Sequence, residues 1–323
     1  MRRGAAQCLA FDAYTPCVST LHRILTGLDV SAFETALRTW IEAQLEPPIT
    51  LEPVAIDGKG VRGAKEQHLP GAYLLSAFAS RRGAVLAQLA IGERENELTQ
   101  ALPLLRQIDL NDVVVTGDAL FAQRALCTHI VEQGGQFCSR SRTISRRSCR
   151  PCSVPFATKL HAVEGARTID GGHGRIDIRT LHVRAGPEFA SVRWPGLAQI
   201  CRLVHQAQRQ ARWHTEVHYK ITSLPPERAG PADLLGLSRV HWAIENLLHY
   251  VRDVTLGEDA SRIRSGAAPQ AMAAMRNLVV AILHREGISN RAAGLRHFAL
   301  HPDQAAHALG LTCTSVVADS RVA

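Results

Sequence analysis

The chain has 323 residues, of which 46% are hydrophobic, so it can bury a sizeable α/β core and is not a disordered protein. No run approaches the roughly 18 to 20 apolar residues of a membrane span, and no apolar signal core follows residues 1–4, which predicts a cytoplasmic location. Its 37 Lys and Arg against 29 Asp and Glu give a formal charge of +8. Such a charge suits binding to nucleic acid, and it equally suits a surface charge that serves only solubility.

The first half of the chain changes from helical to strand patterning after Pro47 and Pro48, which end a predicted pair of helices. Ser31 is the predicted cap of the second helix. In chain order we predict helices within residues 18–45, strands at 51–56, 73–79 and 84–91, a helix at about 95–108, a strand at 113–116 and a helix at about 121–132. This β-β-β-α-β-α order is typical of an RNase H-like sheet, in which the fourth strand lies parallel beside the first.

The second half of the chain predicts an insertion followed by helices. Residues 139–154 are rich in Arg, Ser and Cys and show no regular period, which predicts a loop. The elements predicted after this loop are strands at 174–184 and 216–223 around a helix at about 196–208, a long helix at 232–254, and helices at 269–285 and 290–300.

Two aspartates, Asp57 and Asp118, come at the ends of predicted apolar strands and stand beside glycine. Either one alone is more often explained by turn chemistry than by a site. Because neighbouring parallel strands end at the same edge of a sheet, the two together would present carboxylate oxygens that can hold Mg²⁺ or Mn²⁺. The pair therefore predicts a metal site.

Residues 58–63 match the G-x-G-x-x-G pattern of dinucleotide-binding folds directly after a strand. That pattern requires a helix that begins at the glycines and an acidic residue about 20 positions further on. Pro70 interrupts the sequence too early for such a helix, and no acidic residue stands at that distance. We do not interpret the glycines as a dinucleotide site.

The predicted long helix carries a polar stripe formed by His241, Glu245, His249 and Arg252. Their spacings of four, four and three place them on one helical face. One carboxylate between imidazoles and a guanidinium would suit a metal and phosphate site, although a solvated face is the commoner explanation of such a stripe.

Several segments resemble, in order, those of the ISAs-type insertion-sequence transposases, also called H-repeat-associated proteins. The similarity extends from about residue 19 to residue 310. It lies in residues 56–59 (Ile-Asp-Gly-Lys), 116–120 (Thr-Gly-Asp-Ala-Leu) and 172–176 (Gly-His-Gly-Arg-Ile), and most closely in 241–249, 253–255 and 258–264.

This resemblance implies a DDE transposase with a retroviral-integrase-like core, in which Asp57, Asp118 and Glu245 are the catalytic and metal-binding acids. Two Mg²⁺ or Mn²⁺ ions, about 3.5 to 4 Å apart, would serve cleavage at the transposon ends and then attack of the freed 3′-hydroxyl on target DNA. Contacts to DNA phosphates are assigned to Lys59, Arg62, His241, His249, Arg252, Arg262 and Arg264.

Related transposases carry a Tyr-Arg-Glu-Lys signature on the glutamate helix. The corresponding residues here are Ser238, His241, Glu245 and Arg252, so only the glutamate is retained, together with the basic character at Arg252.

Two departures from the family pattern leave other functions open. Residues 138–162 are biased to Ser, Arg and Cys, which predicts an out-of-frame patch in a decayed copy, and the N-terminal region begins late, as though part of the family's associated domain were absent. The alternatives are a catalytically inactive DNA-binding remnant, a transposition inhibitor, and an RNase H-like nuclease that cuts without joining.

The predicted organisation has three parts: an N-terminal helical segment at 1–48, a catalytic domain at 49–310 with an insertion at about 139–231, and a tail at 311–323. The expected partner is double-stranded DNA, both transposon ends and target, with no membrane. The protein is expected to associate with the nucleoid when bound to DNA, and bringing two ends together predicts a homo-oligomer.

Overall fold

The structure is a computed structural model, and it describes residues 16–47, 50–64, 72–92, 94–141, 164–172, 175–186, 193–209 and 212–311. Within these residues the fold is mixed α/β, with helices on both faces of one nine-stranded, mostly antiparallel sheet. None of the described helices is long and apolar enough to cross a bilayer. The predicted C-terminal tail lies outside the described residues from 312 onwards.

The strands of the sheet are β1 (Glu52–Gly60), β2 (Tyr73–Ala79), β3 (Ala84–Ile91), β4 (Val113–Gly117), β5 (Gln136–Arg140), β6 (Glu164–Gly172), β7 (Arg175–Ala185), β8 (Gln199–Arg209) and β9 (Arg212–Thr222). The sheet is built around β1, which pairs antiparallel with β2 and parallel with β4. Its strand order is β3-β2-β1-β4-β5-β9-β8-β7-β6, and β4 and β5 are also parallel. The predicted β-β-β-α-β-α order, with the fourth strand parallel beside the first, is thus present.

Helices cover both faces of the first strands. The helices are α1 (Val18–Thr26), α2 (Val30–Gln44), α3 (Glu97–Leu105), α4 (Arg124–Glu132), α5 (Pro231–Val240), α6 (Ala268–Arg285), α7 (Arg291–Leu300) and α8 (Pro302–Ala308). The cap of α2 is Asp29 rather than the predicted Ser31, because the Asp29 carboxylate accepts a hydrogen bond from the Ala32 N–H at 3.0 Å.

Alternation along β1 divides the apolar core into two layers. Val54 and Ile56 pack with α3 and α4 on one face of the sheet, while Ala55 packs with Phe78 and Ile244 on the other. A strand buried on both faces in this way is typical of the centre of a mixed sheet. The helix that carries Ile244 is therefore held directly against β1.

The helix predicted at about 196–208 is wrong, because this segment forms β8. Its apolar residues Ile200, Leu203, Val204 and Ala207 recur at helical spacing, which explains the error. The segment instead pairs along its whole length with β7 on one side and β9 on the other. Complete hydrogen bonding on both edges outweighs a local helical pattern.

Two further boundaries differ from the predictions. The loop predicted from residue 139 begins later, since Ser139 and Arg140 belong to β5, which pairs with β4 and β9. Residues 142–163, which hold most of the predicted out-of-frame patch, lie outside the described residues. The strand β6, which begins at Glu164, was not predicted.

We expect Leu104→Ala to lower the free energy of unfolding by about 2 to 5 kcal/mol, because Leu104 is completely buried between α3 and the sheet. Leu300→Ala, on an exposed position of α7, is the matched control and should change it by less than about 0.5 kcal/mol. Chemical unfolding followed by circular dichroism measures both, and equal losses would contradict the assignment of the core.

Candidate active site

Asp57 lies where β1 separates from β4. The parallel pairing of these strands ends at Ala55 and Thr116, whereas β1 continues beside β2 as far as Gly60. The prediction that Asp57 ends its strand is therefore wrong. Asp57 lies within β1, beside the gap that opens in the sheet between β1 and β4. Ala55 and Thr116, the last paired residues, each stand two positions before an aspartate, so the parallel pairing stops just before both Asp57 and Asp118.

The predicted long helix at 232–254 is interrupted. The helix α5 ends at Val240, and after a turn the chain continues as two π-helical segments, Ile244–His249 and Val251–Thr255. π-helical turns are rare and are found frequently at functional sites. Ile244, Leu248 and Val251 are buried against β1 and α6, which fixes the face on which Glu245 stands.

Three side chains, Asp57, Glu245 and His249, converge beside the gap. Each offers one ligand atom, and these atoms all lie within 4.8 Å of one another. His249 Nδ1 is 3.5 Å from both Asp57 Oδ2 and Glu245 Oε2. The exposed fractions of the side chains are 7% for His249, 28% for Asp57 and 51% for Glu245, so the cluster opens to solvent on the glutamate side.

Burial and mutual repulsion set the protonation of this cluster. Burial, followed by the neighbouring Glu245 carboxylate, raises the pKa of Asp57 to about 7. Burial, assisted by the positive charges of Arg252 and Lys59, lowers the pKa of His249 to about 3. At neutral pH the imidazole is therefore uncharged, and the Asp57 carboxyl, with a pKa of about 7, is close to half protonated.

Asp118 does not join the three converged side chains. Its Oδ1 accepts a hydrogen bond from the Leu120 N–H at 2.7 Å, an interaction that closes the turn after β4. The structure thus brings together Asp57 and Glu245 of the predicted triad, while Oδ1 of Asp118 takes part in the turn after β4.

A further acid, Glu97, stands beside Asp57 and was not predicted. It accepts a hydrogen bond from the Tyr73 hydroxyl, and its charge contributes to the raised pKa of Asp57. A Cβ atom on Gly58 would lie 2.3 Å from Glu97 Oε1, so glycine at this position allows the close approach. Glu97 begins α3, far from Asp57 in the sequence, and no motif marks it.

Arg252 is completely buried and forms two hydrogen bonds with Glu258, at 3.0 and 2.8 Å. Its remaining nitrogen contacts Gln88 and Asn277 at 3.5 and 3.3 Å. In this position the guanidinium is directed into the protein, away from any surface where DNA could bind. Its contacts favour a structural role over the predicted phosphate contact.

Lys59 belongs to the same buried group. Its Nζ is 2.5 Å from Asp253 Oδ1 and 3.9 Å from Glu258 Oε1, and only 8% of the side chain is exposed. Arg276 also contacts Glu258, at 3.4 Å. The charge of Lys59, like that of Arg252, is paired with carboxylates inside the protein. Lys59 therefore influences the site only through the electrostatic effect of its charge.

The other predicted phosphate contacts lie in two places. His241 Nδ1 is 3.1 Å from the Thr116 hydroxyl, and burial, with Lys220 nearby, lowers the pKa of His241 to about 4. Arg62 is exposed near Asp259, and Arg264 donates to the Gly63 carbonyl at 3.1 Å. Arg62 and Arg264, together with the exposed Arg262, form a basic surface where the turn after β1 meets the loop at residues 258–264.

We expect Asp57→Asn to stabilise the protein in the absence of divalent ions. The raised pKa means that the folded state binds more protons than the unfolded state between about pH 4 and 7, so the Asp57 carboxyl lowers stability progressively as the pH rises through this window. The free energy of unfolding should rise by about 1 to 3 kcal/mol at pH 8 and by much less at pH 5.

Thermal unfolding in EDTA at both pH values measures this effect, with the exposed Glu227→Gln as the control. A stabilisation of Asp57→Asn that is the same at pH 5 and pH 8 would show that the repulsion with Glu245 is not its source.

We expect Arg252→Met to lower the free energy of unfolding by about 3 kcal/mol, because it leaves the buried Glu258 carboxylate without its main partner. Arg62→Met removes an exposed guanidinium 3.8 Å from Asp259 and should cost less than about 0.5 kcal/mol. Denaturant titration compares the two, and equal costs would argue against a buried ion pair.

Comparisons with known proteins agree with the sequence. Residues 50–282 match the family described as Transposase DDE domain. The transposase-named protein YncI of Escherichia coli O157:H7 is 28% identical over 285 residues, which cover 84% of this chain and 72% of that protein. YhhI of Escherichia coli strain K12, named as an H-repeat-associated transposase, is 27% identical over 300 residues, covering 88% and 77%.

A solved structure of the piggyBac transposase synaptic complex with hairpin DNA is similar at 12% identity, with a TM-score of 0.44, over 94% of this chain and 63% of that one. No conclusion about this chain follows from a score of that size. The match over residues 50–282 does identify the family. The chain belongs to the transposase DDE domain family, as an insertion-sequence transposase of the ISAs, H-repeat-associated type.

Proposed function

We propose that this transposase uses Asp57, Glu245 and Asp118 to cut DNA at the ends of an insertion sequence and to join the freed ends to target DNA. The observation that carries the proposal is the convergence of the Asp57 and Glu245 carboxylates with His249, at the gap where β1 separates from β4. Two residues that are 188 positions apart in sequence, at 57 and 245, meet at a partly exposed edge of the sheet.

The converged residues suit a divalent cation. Two carboxylate oxygens are ligands that Mg²⁺ and Mn²⁺ favour, and an uncharged imidazole nitrogen is a better ligand for Mn²⁺ than for Mg²⁺. His249 Nε2 is buried without a hydrogen-bond partner, so the ring is oriented by packing and not by a polar contact on its far side. Asp57, Glu245 and His249 would hold the cation, which would activate water and stabilise the leaving 3′-oxygen.

The protein's own groups prepare this site. Asp57 has to be ionised before it can serve as a ligand, so cation binding would displace the proton that its raised pKa retains near neutral pH. Burial, assisted by the positive charges of Arg252 and Lys59, keeps the His249 ring neutral, with a nitrogen lone pair available. Asp118 accepts the Leu120 N–H through Oδ1, so Oδ2 is the oxygen that it would offer to a cation.

The arrangement of β1 to β5 supports an RNase H-like core for this activity. The order is β3-β2-β1-β4-β5, antiparallel in the first three strands and parallel from β1 to β5. The pairing of β1 with β4 stops two residues before both Asp57 and Asp118, which supports a common position for the two aspartates. We propose that residues 49–310 form the catalytic domain, with β6 to β9 in its insertion.

The proposed partner is double-stranded DNA, which includes both transposon ends and the target. A homo-oligomer would bring the two transposon ends together. The alternative is a DNA-binding remnant or inhibitor that does not cut. The observation that favours this second possibility is that Asp118 is not among the side chains that converge at the site, which are those of Asp57, Glu245 and His249.

We expect Glu245→Gln to reduce nicking of supercoiled DNA with Mg²⁺ or Mn²⁺ by more than the roughly 10- to 100-fold that loss of an outer-shell partner typically costs. Binding of the same DNA in EDTA should remain, because Glu245 is half exposed and buries no core surface. The control is the exposed Glu227→Gln, which should cut like the wild type.

The substrate is a plasmid carrying candidate terminal repeats, and its products separate three outcomes: bound only, nicked, or joined. Undiminished nicking by Glu245→Gln would remove this residue from the catalytic set. Binding without nicking by the wild type would favour the remnant.

A further inference from the structure

A large groove separates the insertion strands from the helix that precedes Glu245. Its volume is about 740 Å³, and it is bounded on one side by β7, β8 and β9 and on the other by α5 and the turn after it. The basic side chains that line it are Arg175, Arg179, His205, His214, His218 and Arg239. Glu216 is the acidic residue among the groove-lining side chains that the structure describes.

Strand register places most of these basic residues on one face of the sheet. Arg179 pairs with His205, and His205 pairs with Glu216 on β9. Arg175, Arg179, His205, His214 and His218 stand at alternate positions of their strands, so their side chains share that face. The basic side chains on this wall of the groove therefore follow the regular spacing of the strands.

The groove reaches the segment of chain that carries Glu245. Trp242 and Asn246 line it, and they stand on either side of Glu245 in the sequence. Trp242 is 63% exposed although it is a large aromatic residue, so its ring offers apolar surface to a ligand in the groove.

Two carboxylates, outside the groove lining, already occupy the arginines. Asp170 on β6 contacts Arg179 at 2.7 Å and Arg239 at 3.1 Å, which ties β6 to α5. Asp177 contacts Arg175 at 2.8 Å and His205 at 2.7 Å. These pairs are partly exposed, so each contributes little net stability and can exchange partners with another anion.

We propose that this groove binds the phosphate backbone of duplex DNA through Arg175, Arg179 and Arg239, and that Asp170 and Asp177 limit its affinity by competing for the same guanidinium groups. The inference rests on the proposed function and adds to it the path of the DNA between the insertion and the acids. It also assigns Asp170 a restraining role, so its removal should strengthen binding.

The test measures the dissociation constant of a short blunt-ended DNA duplex as a function of salt concentration. All variants are made in the Glu245→Gln background and studied in EDTA, so cutting cannot affect the result. We expect Arg179→Ala and Arg239→Ala to weaken binding several-fold and to reduce the slope of log K against log salt by about 0.9 for each lost phosphate contact.

Asp170→Asn provides the decisive measurement, because a misfolded protein would not bind more tightly. We expect it to strengthen binding several-fold by freeing Arg179 and Arg239. The matched controls come from Asp112 and Arg228, a partly exposed ion pair at 2.7 Å that lies outside the groove lining. Asp112→Asn and Arg228→Ala should leave both the affinity and the salt slope unchanged.

Binding by Arg179→Ala and Arg239→Ala with the wild-type slope, or weaker binding by Asp170→Asn, would overturn the groove proposal. If DNA binding then remains and the wild-type active site still nicks the plasmid, the proposed function stands without the groove. If the wild type neither binds the duplex nor nicks, the proposed function itself fails.

Discussion

The hydrogen bonds of β1 are the constraint on which the candidate site depends. β1 keeps its pairing with β2 as far as Gly60 but loses β4 after Ala55, so a gap opens beside a strand that remains rigidly held. The Asp57 side chain projects from the same face of β1 as Ala55, towards Glu245 and His249. On the same strand, Ala55 packs against Ile244 and so brings Glu245 within reach. The contacts of β1 therefore fix both the position of Asp57 on the strand and the position of the helical segment that carries Glu245.

The charges around this gap destabilise the folded state and favour the binding of a cation. Asp57 and Glu245 repel each other when both are ionised, and Glu97 adds a third carboxylate close by. A buried group of cations, Lys59, Arg252 and Arg276, lies on the other side of His249 and is balanced by Glu258 and Asp253. Such a division of charge costs stability in the metal-free protein, and a divalent cation would relieve it.

The sequence predicted the elements with strong local patterns and missed those fixed by distant contacts. Strands 73–79 and 84–91 were predicted with the bounds of β2 and β3, since alternating apolar residues between turns leave few alternatives. β8 was predicted as a helix because pairing with β7 and β9 is invisible locally. At the site, strand ends and helical spacing pointed to Asp57, Asp118, Glu245 and His249. Residue spacing predicts neither the inward orientation of Arg252 nor the position of Glu97 beside Asp57, because both depend on tertiary packing.

Strands β6 to β9 are not a separate lobe, because β9 is hydrogen-bonded to β5 and the sheet runs without a break from β3 to β6. The outer hairpins are therefore connected through β9 and β5 to β4, the strand that leads into the turn where Asp118 accepts the Leu120 N–H. One continuous hydrogen-bonded ladder thus fixes the position of the groove relative to that aspartate.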